Sequence, residues 1–98
     1  IILSGYGRAL LANEQYTRAL EVLEKARVRD FRNSALLRDL GVAYSKLGQH
    51  AMASLVTSER YALQGRIKDA KVHANRASAG LPVGSPSWQR AQDVLDIR

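Results

Sequence analysis

Cysteine is absent from this sequence, so neither a disulfide framework nor a thiolate metal site is available, and the redox compartment is left open. No apolar run approaches the roughly 18–20 residues needed to span a bilayer, and no basic region stands ahead of an apolar one at the N-terminus. An initiator Met is missing too. The chain opens on Ile1-Ile2-Leu3, already in helical pattern, which reads as a domain taken from a longer protein with any targeting signal outside it.

The groupings that carry chemistry are equally scarce. His50 and His73 fall on different predicted helices with no His, Glu or Asp at i+3 or i+4, so zinc-ligand spacing is absent. Gly5-Tyr6-Gly7 lies inside a helical pattern without a preceding strand and is no phosphate loop. Ser54, Ser58 and Ser78 have no activating partner at a recognisable spacing. Glu21 and Glu24 share a helix face with Arg18, Lys25 and Arg27 nearby, which reads as a solvated ion-pair face and not an acid/base pair. Neither an enzyme activity, a metal nor a cofactor is expected of these residues.

What the chain does have is regular helical patterning. Its 98 residues, 46% apolar and 24% charged, describe one small domain that buries only about 60–70% of its unfolded surface, so stability must come from regular, well-packed elements. Sliding the sequence against itself by 34 residues matches Leu3 with Leu37, Gly7 with Gly41, Ala9 with Ala43, Gln15 with Gln49, Ala19 with Ala53 and Val22 with Val56. The matches fall on small and apolar positions, as a repeated packing face requires.

Each unit reads as two antiparallel helices. Over residues 35–47, Leu36, Leu37, Leu40, Ala43, Tyr44 and Leu47 follow the i, i+3, i+4, i+7 rule, while Arg38, Asp39, Ser45 and Lys46 face elsewhere. Gly48 then ends the helix as a residue free to take positive φ. Residues 16–28 repeat the logic with Tyr16, Ala19, Leu20, Leu23 and Ala26 inward, and Gly7 and Gly41 are expected to let neighbouring backbones approach closely. His50 takes the place of Tyr16, which predicts a packing role for it.

Leu37, Leu40-Gly41, Tyr44, Gly48 and Ala53 in the second unit, with Leu3, Tyr6-Gly7, Tyr16, Ala19 and Ala26 in the first, resemble the tetratricopeptide repeat (TPR). The resemblance implies an all-α array of about six helices, with repeat 1 over about 1–33, repeat 2 over about 34–63, and a half repeat plus capping helix over 64–98. Phe31 departs from the pattern where the repeat usually ends in proline, and Arg60 departs where the last small residue of the second helix belongs.

Tyr44, Gly48 and Ala53 recur as Tyr61, Gly65 and Ala70 only 17 residues later, leaving room for one helix of about 20 Å between the glycines. Helix 50–63 is therefore expected to close the second repeat and open a third pair with helix 67–79, whose inward residues are Ile67, Ala70, Ala74 and Ala77. A frame lost by deletion is the alternative; it would leave an unpaired helix and an exposed stripe. Gly80 should end helix 67–79, and Ser85-Pro86 should cap a terminal helix anchored in the core by Trp88 with Ala91 and Leu95.

The net charge of +6 adds a functional hint, because Arg66, Lys68, Lys71 and Arg76 cluster against the single acid Asp69. Such a face can be merely solubilising, or can meet nucleic acid, acidic lipid or an acidic protein. Nucleic acid is disfavoured because no aromatic is interleaved with these cations for stacking. In the TPR family the first helices of the pairs line a concave groove for a peptide or helix, which carries over here to Ser4, Arg8 and Leu11, then Arg38, Val42, Ser45 and Lys46. Ser4, Arg8 and Val42 do not reproduce the Lys and Asn set with which some members clamp a C-terminal carboxylate.

Within residues 34–96, the run GQHAMASLVTSERYALQGRIKDAKVHANRA followed by LPVGSPSWQRAQDVL resembles the C-terminal repeat region of bacterial periplasmic zinc metallopeptidases linked to outer-membrane quality control. That resemblance implies a periplasmic, non-catalytic module whose partner is a protein or peptide ligand, or an upstream protease domain of the same chain. The catalytic HExxH helix of that family is not in these residues. A free-standing scaffold module is the alternative, with a basic RNA-binding repeat behind it.

Overall fold

The computed structural model describes residues 2–98, which form α1 (Ile2–Ala12), α2 (Tyr16–Arg29), α3 (Ser34–Lys46), α4 (His50–Leu63), α5 (Ile67–Gly80) and α6 (Pro86–Leu95). This is an all-α helical array, as expected, and it is longer than wide at 37 × 24 × 19 Å.

Three turns built on one plan set the helix spacing. After α3, the Gly48 N–H donates to the Ser45 carbonyl at 3.1 Å and the Gln49 N–H to the Tyr44 carbonyl at 2.9 Å, the paired bonds of a Schellman cap. After α4, Gly65 and Arg66 make the same pair with Ala62 and Tyr61. Both glycines sit in the left-handed region, at φ 75° and 78°. After α1, Glu14 and Gln15 bond in the same way to Leu11 and Leu10, with Glu14 at φ 59°. Each turn delivers the chain at once into the next helix, so Gln15, Gln49 and Arg66 begin α2, α4 and α5 without a side-chain cap. The longer connections are capped conventionally: Asn33 accepts from the Leu36 N–H and Ser85 from the Trp88 N–H, each at 3.1 Å.

Two kinds of packing hold the array. Leu10, Leu23, Leu36, Leu37, Leu40, Tyr44 and Val56 form one buried cluster across α1 to α4. Beyond it, Leu55 meets Ala77 and Ala91, while Ala70 and Ala74 meet Val94, so α4, α5 and α6 join largely through alanine. Helix α4 belongs to both regions, packing on α3, α5 and α6. Alternate helices come together as α1 with α3 and as α4 with α6, whereas neither α2 with α4 nor α3 with α5 does. The phase of stacking therefore changes at α4, and one long face of α3 is left uncovered by α5.

Several expectations need correction. Trp88 is only half-buried; α6 buries Ala91 and Val94, with Leu95 packed against the same core, and its Arg90 is held to Glu59 of α4 and its Gln92 to Ser78 of α5. His50 is exposed and so lacks the packing role that its match with the half-buried Tyr16 predicts. Asp39, assigned to the wet face, is buried and accepts from Arg8 of α1 at 3.1 Å. Gly80 is the last residue of α5, so the helix ends where expected, but without the positive φ of Gly48 and Gly65; a Cβ there would meet the Ala51 Cβ at 2.8 Å, so close approach to α4 also accounts for it. Gly7 likewise faces Leu23 too tightly for a side chain, whereas Gly41 has room for a methyl group, its nearest neighbour being 3.7 Å away.

Candidate functional site

The seven groove residues expected from sequence divide into two groups. Ser4 lines a cavity of about 270 Å³ at the α1 and α2–α3 end, beside Leu3, Ala26, Asn33 and Leu36. Leu11 packs against the leucine core, and Arg8 is engaged by Asp39. Arg38, Val42, Ser45 and Lys46 come together, on the face of α3 that α5 leaves open, along a groove of about 350 Å³. Their spacing of four, three and one residues places them on one side of a helix.

The second wall of that groove comes from α4, which contributes Thr57 and Arg60. Thr57 donates its hydroxyl to the Ala53 carbonyl at 2.8 Å. Arg60 stacks over the Tyr61 ring at 4.9 Å, and its Nε is buried without a hydrogen-bond partner. Sequence reasoning did not place these two residues at the site. The signal was present for Arg60, a long cation standing where the repeat pattern has a small residue.

The four cations taken as one basic face are used differently from one another. Arg66 is bound to Asp69 at 3.0 Å and lies over Tyr61 at 4.2 Å. Arg76 stands near His73, whose ring centre is 5.3 Å from that of Tyr61. Lys68 is exposed and Lys71 half-buried. Tyr61 is thus an aromatic set among cations, which the linear sequence had concealed, but two guanidinium groups already lie over its ring. Burial, followed by the charge of Arg76, lowers His73 below its ordinary 6.5, with Arg60 and Arg66 acting in the same direction and Asp69 opposing. Lowering its pKa keeps His73 uncharged at pH 7, and the charge of this patch comes from its lysines and arginines.

On the far side of the core, Glu24 is half-buried rather than solvated. The Tyr44 hydroxyl donates to one of its oxygens and Arg27 Nε to the other at 2.7 Å. Burial, with the bond to Glu24, pushes the Tyr44 phenol well above its ordinary range. Arg90 and Glu59 form a second half-buried pair between α6 and α4, with Nε 3.0 Å from the carboxylate. These groups join helices and face no open cleft among the described cavities. Among the described residues no cluster of His, Cys, Asp or Glu could hold a metal ion, and no helix is long and apolar enough to cross a membrane. No protein family, curated protein or solved structure matches the chain.

Proposed function

We infer that the chain is a non-catalytic protein-interaction module of the TPR kind, serving as the C-terminal substrate- or partner-binding region of a zinc metallopeptidase. The observation that carries the binding role is the open face of α3, where Arg38, Val42, Ser45 and Lys46 share one groove with an apolar centre and polar ends. The peptidase connection rests on the resemblance of residues 34–96. In this reading the module holds or positions a polypeptide and leaves the peptide bonds intact.

A photoreactive residue replacing Val42 tests the binding role directly. The chain should cross-link to an unfolded polypeptide from that position and not from Val83, which is 83% exposed on the α5–α6 loop. Equal labelling from both positions, or none from Val42, overturns it. The coding sequence upstream of Ile1 tests the peptidase connection: an HExxH helix in the same polypeptide supports it, and a chain without one leaves the free-standing scaffold.

A further inference from the structure

The geometry points to an acidic segment of a partner protein as the ligand of the α3–α4 groove, with one of its carboxylates paired to Arg60. The inference rests on the protein-binding reading above and narrows it to one ligand chemistry.

Consider first how the arginines of this chain use Nε. Arg8 gives it to Asp39, Arg27 to Glu24, Arg66 to Asp69 and Arg90 to Glu59, all within 3.1 Å. Among the described residues Arg60 alone has a buried Nε with no acceptor, and no carboxylate pairs with its guanidinium. A buried donor left unmade is costly, and such a group is where a protein takes up a water or the acceptor of a ligand. Rotation of the side chain off the Tyr61 ring would present the same edge that Arg90 presents to Glu59, Nε together with a terminal amino group.

The rest of the groove is complementary to the same chemistry. Its lining holds Arg38, Lys46 and Arg60 and no acid. Arg38 is 3.8 Å from an Asp39 carboxylate that Arg8 already approaches more closely, and Lys46 pairs with no carboxylate among the described residues. Ser45 and Thr57 add hydroxyls between the cations, and Val42, 43% exposed, adds an apolar contact at the centre. A second copy of this chain is a poor occupant, since like copies of net charge +6 repel.

Spacing defines the ligand further. Arg38 and Lys46 lie about 12 Å apart along the helix axis at 1.5 Å per residue. In an extended peptide, residues i and i+4 point to one side and stand about 13 Å apart, with i+2 between them. An acid, any residue, an apolar residue, any residue and an acid would therefore set carboxylates at the two ends and an apolar side chain on Val42, with Arg60 reached from across the groove.

A labelled peptide carrying Glu-Ser-Leu-Ser-Glu, its glutamine counterpart and a single-stranded oligonucleotide competitor test this by fluorescence anisotropy at low salt. The acidic peptide should bind, and the glutamine peptide or the Arg60→Gln and Arg38→Gln chains should bind about tenfold more weakly. Lys68→Gln on α5 should change affinity less than about twofold, as a distant solvated charge does. Equal binding of both peptides, or an effect of Lys68→Gln as large as that of Arg60→Gln, overturns the inference. Displacement by the oligonucleotide below the Kd of the peptide also overturns it, in favour of a phosphate ligand. If Arg60→Gln does not fold, the side-chain Nε–H resonance of Arg60 in the unaltered chain should shift on adding the acidic peptide and not the neutral one; no shift overturns the inference. Loss of acid preference with Val42 cross-linking intact would refute the ligand chemistry alone. Loss of both would refute the binding role as well.

Discussion

The two ends of this array are held together by opposite means. Around α1 to α3 the buried residues are large, chiefly Leu10, Leu23, Leu36, Leu37 and Leu40, and they fill space between the helices. Around α5 the buried residues are Ala70, Ala74 and Ala77, and the helices come close enough that Gly80 has no room for a Cβ beside Ala51. A core of long side chains depends on atoms being present. An interface of small side chains depends on atoms being absent, so the leucine end should be the more sensitive to lost volume and the alanine end to added volume.

The largest effect is expected from removing volume at the leucine end. Leu40 is fully buried, and Leu40→Ala should cost about 2–5 kcal/mol through lost burial and the cavity left behind. Denaturant unfolding measures this, and a cost under about 1 kcal/mol would mean that the core collapses around the gap. Adding volume at the alanine end comes next. Ala74 is fully buried between α5 and α6, and Ala74→Leu should cost about 1–3 kcal/mol by overpacking. Because α4 packs in both regions, hydrogen exchange on this variant should show faster opening in α3 as well as in α5. Loosening confined to α5 and α6 would show that the two ends unfold independently.

A pair of glycines sharpens the contrast at a smaller scale. Gly41→Ala, inside α3, gains about 1 kcal/mol of helix propensity, and Gly80→Ala, at the last residue of α5, gains less, so propensity and packing act in the same direction when the two are compared. Gly41 has its nearest neighbour at 3.7 Å from an added Cβ, while Gly80 meets Ala51 at 2.8 Å. Gly80→Ala should therefore be less stable than Gly41→Ala by about 1–3 kcal/mol, the usual cost of overpacking. Equal melting temperatures would mean that the α4–α5 approach gives way readily.

The sequence disclosed the helices because their spacing is written in short local signals: apolar residues three and four apart, then a glycine at the turn. Those signals do not say which neighbour a helix meets. In α6 the expected set was Trp88, Ala91 and Leu95; Ala91 is buried and Leu95 packs against the core, while Val94 and not Trp88 completes the buried residues, a rotation that goes with the ties from Arg90 to Glu59 and from Gln92 to Ser78. Half of the groove was legible for the same reason. Arg38, Val42, Ser45 and Lys46 lie on one helix and follow from its period, whereas Thr57 and Arg60 come from the next helix and depend on where α5 does not pack. Asp39 was misplaced because its partner, Arg8, is 31 positions away in sequence.

The smallest predicted effect concerns the three turns. Gly48 and Gly65 hold the left-handed position of their Schellman caps, and Glu14 holds it after α1 at φ 59°, with the same two backbone bonds. An L-residue pays about 1–2 kcal/mol there through crowding of Cβ against the backbone, and glycine avoids it. Glycine also has more freedom to lose on folding, which takes back part of that gain. Glu14 is exposed and has no side-chain hydrogen bond or ion pair among the described residues, so its removal breaks nothing else. Glu14→Gly should therefore stabilise the chain by about 0.5–1 kcal/mol, and Gly48→Ala, the reverse change at the matching turn, should destabilise it by about 1 kcal/mol. Chemical denaturation of the two variants checks the pair. Opposite shifts of similar size would show that the turns are energetically equivalent; a destabilised Glu14→Gly would mean that the first turn is held by something other than its backbone geometry.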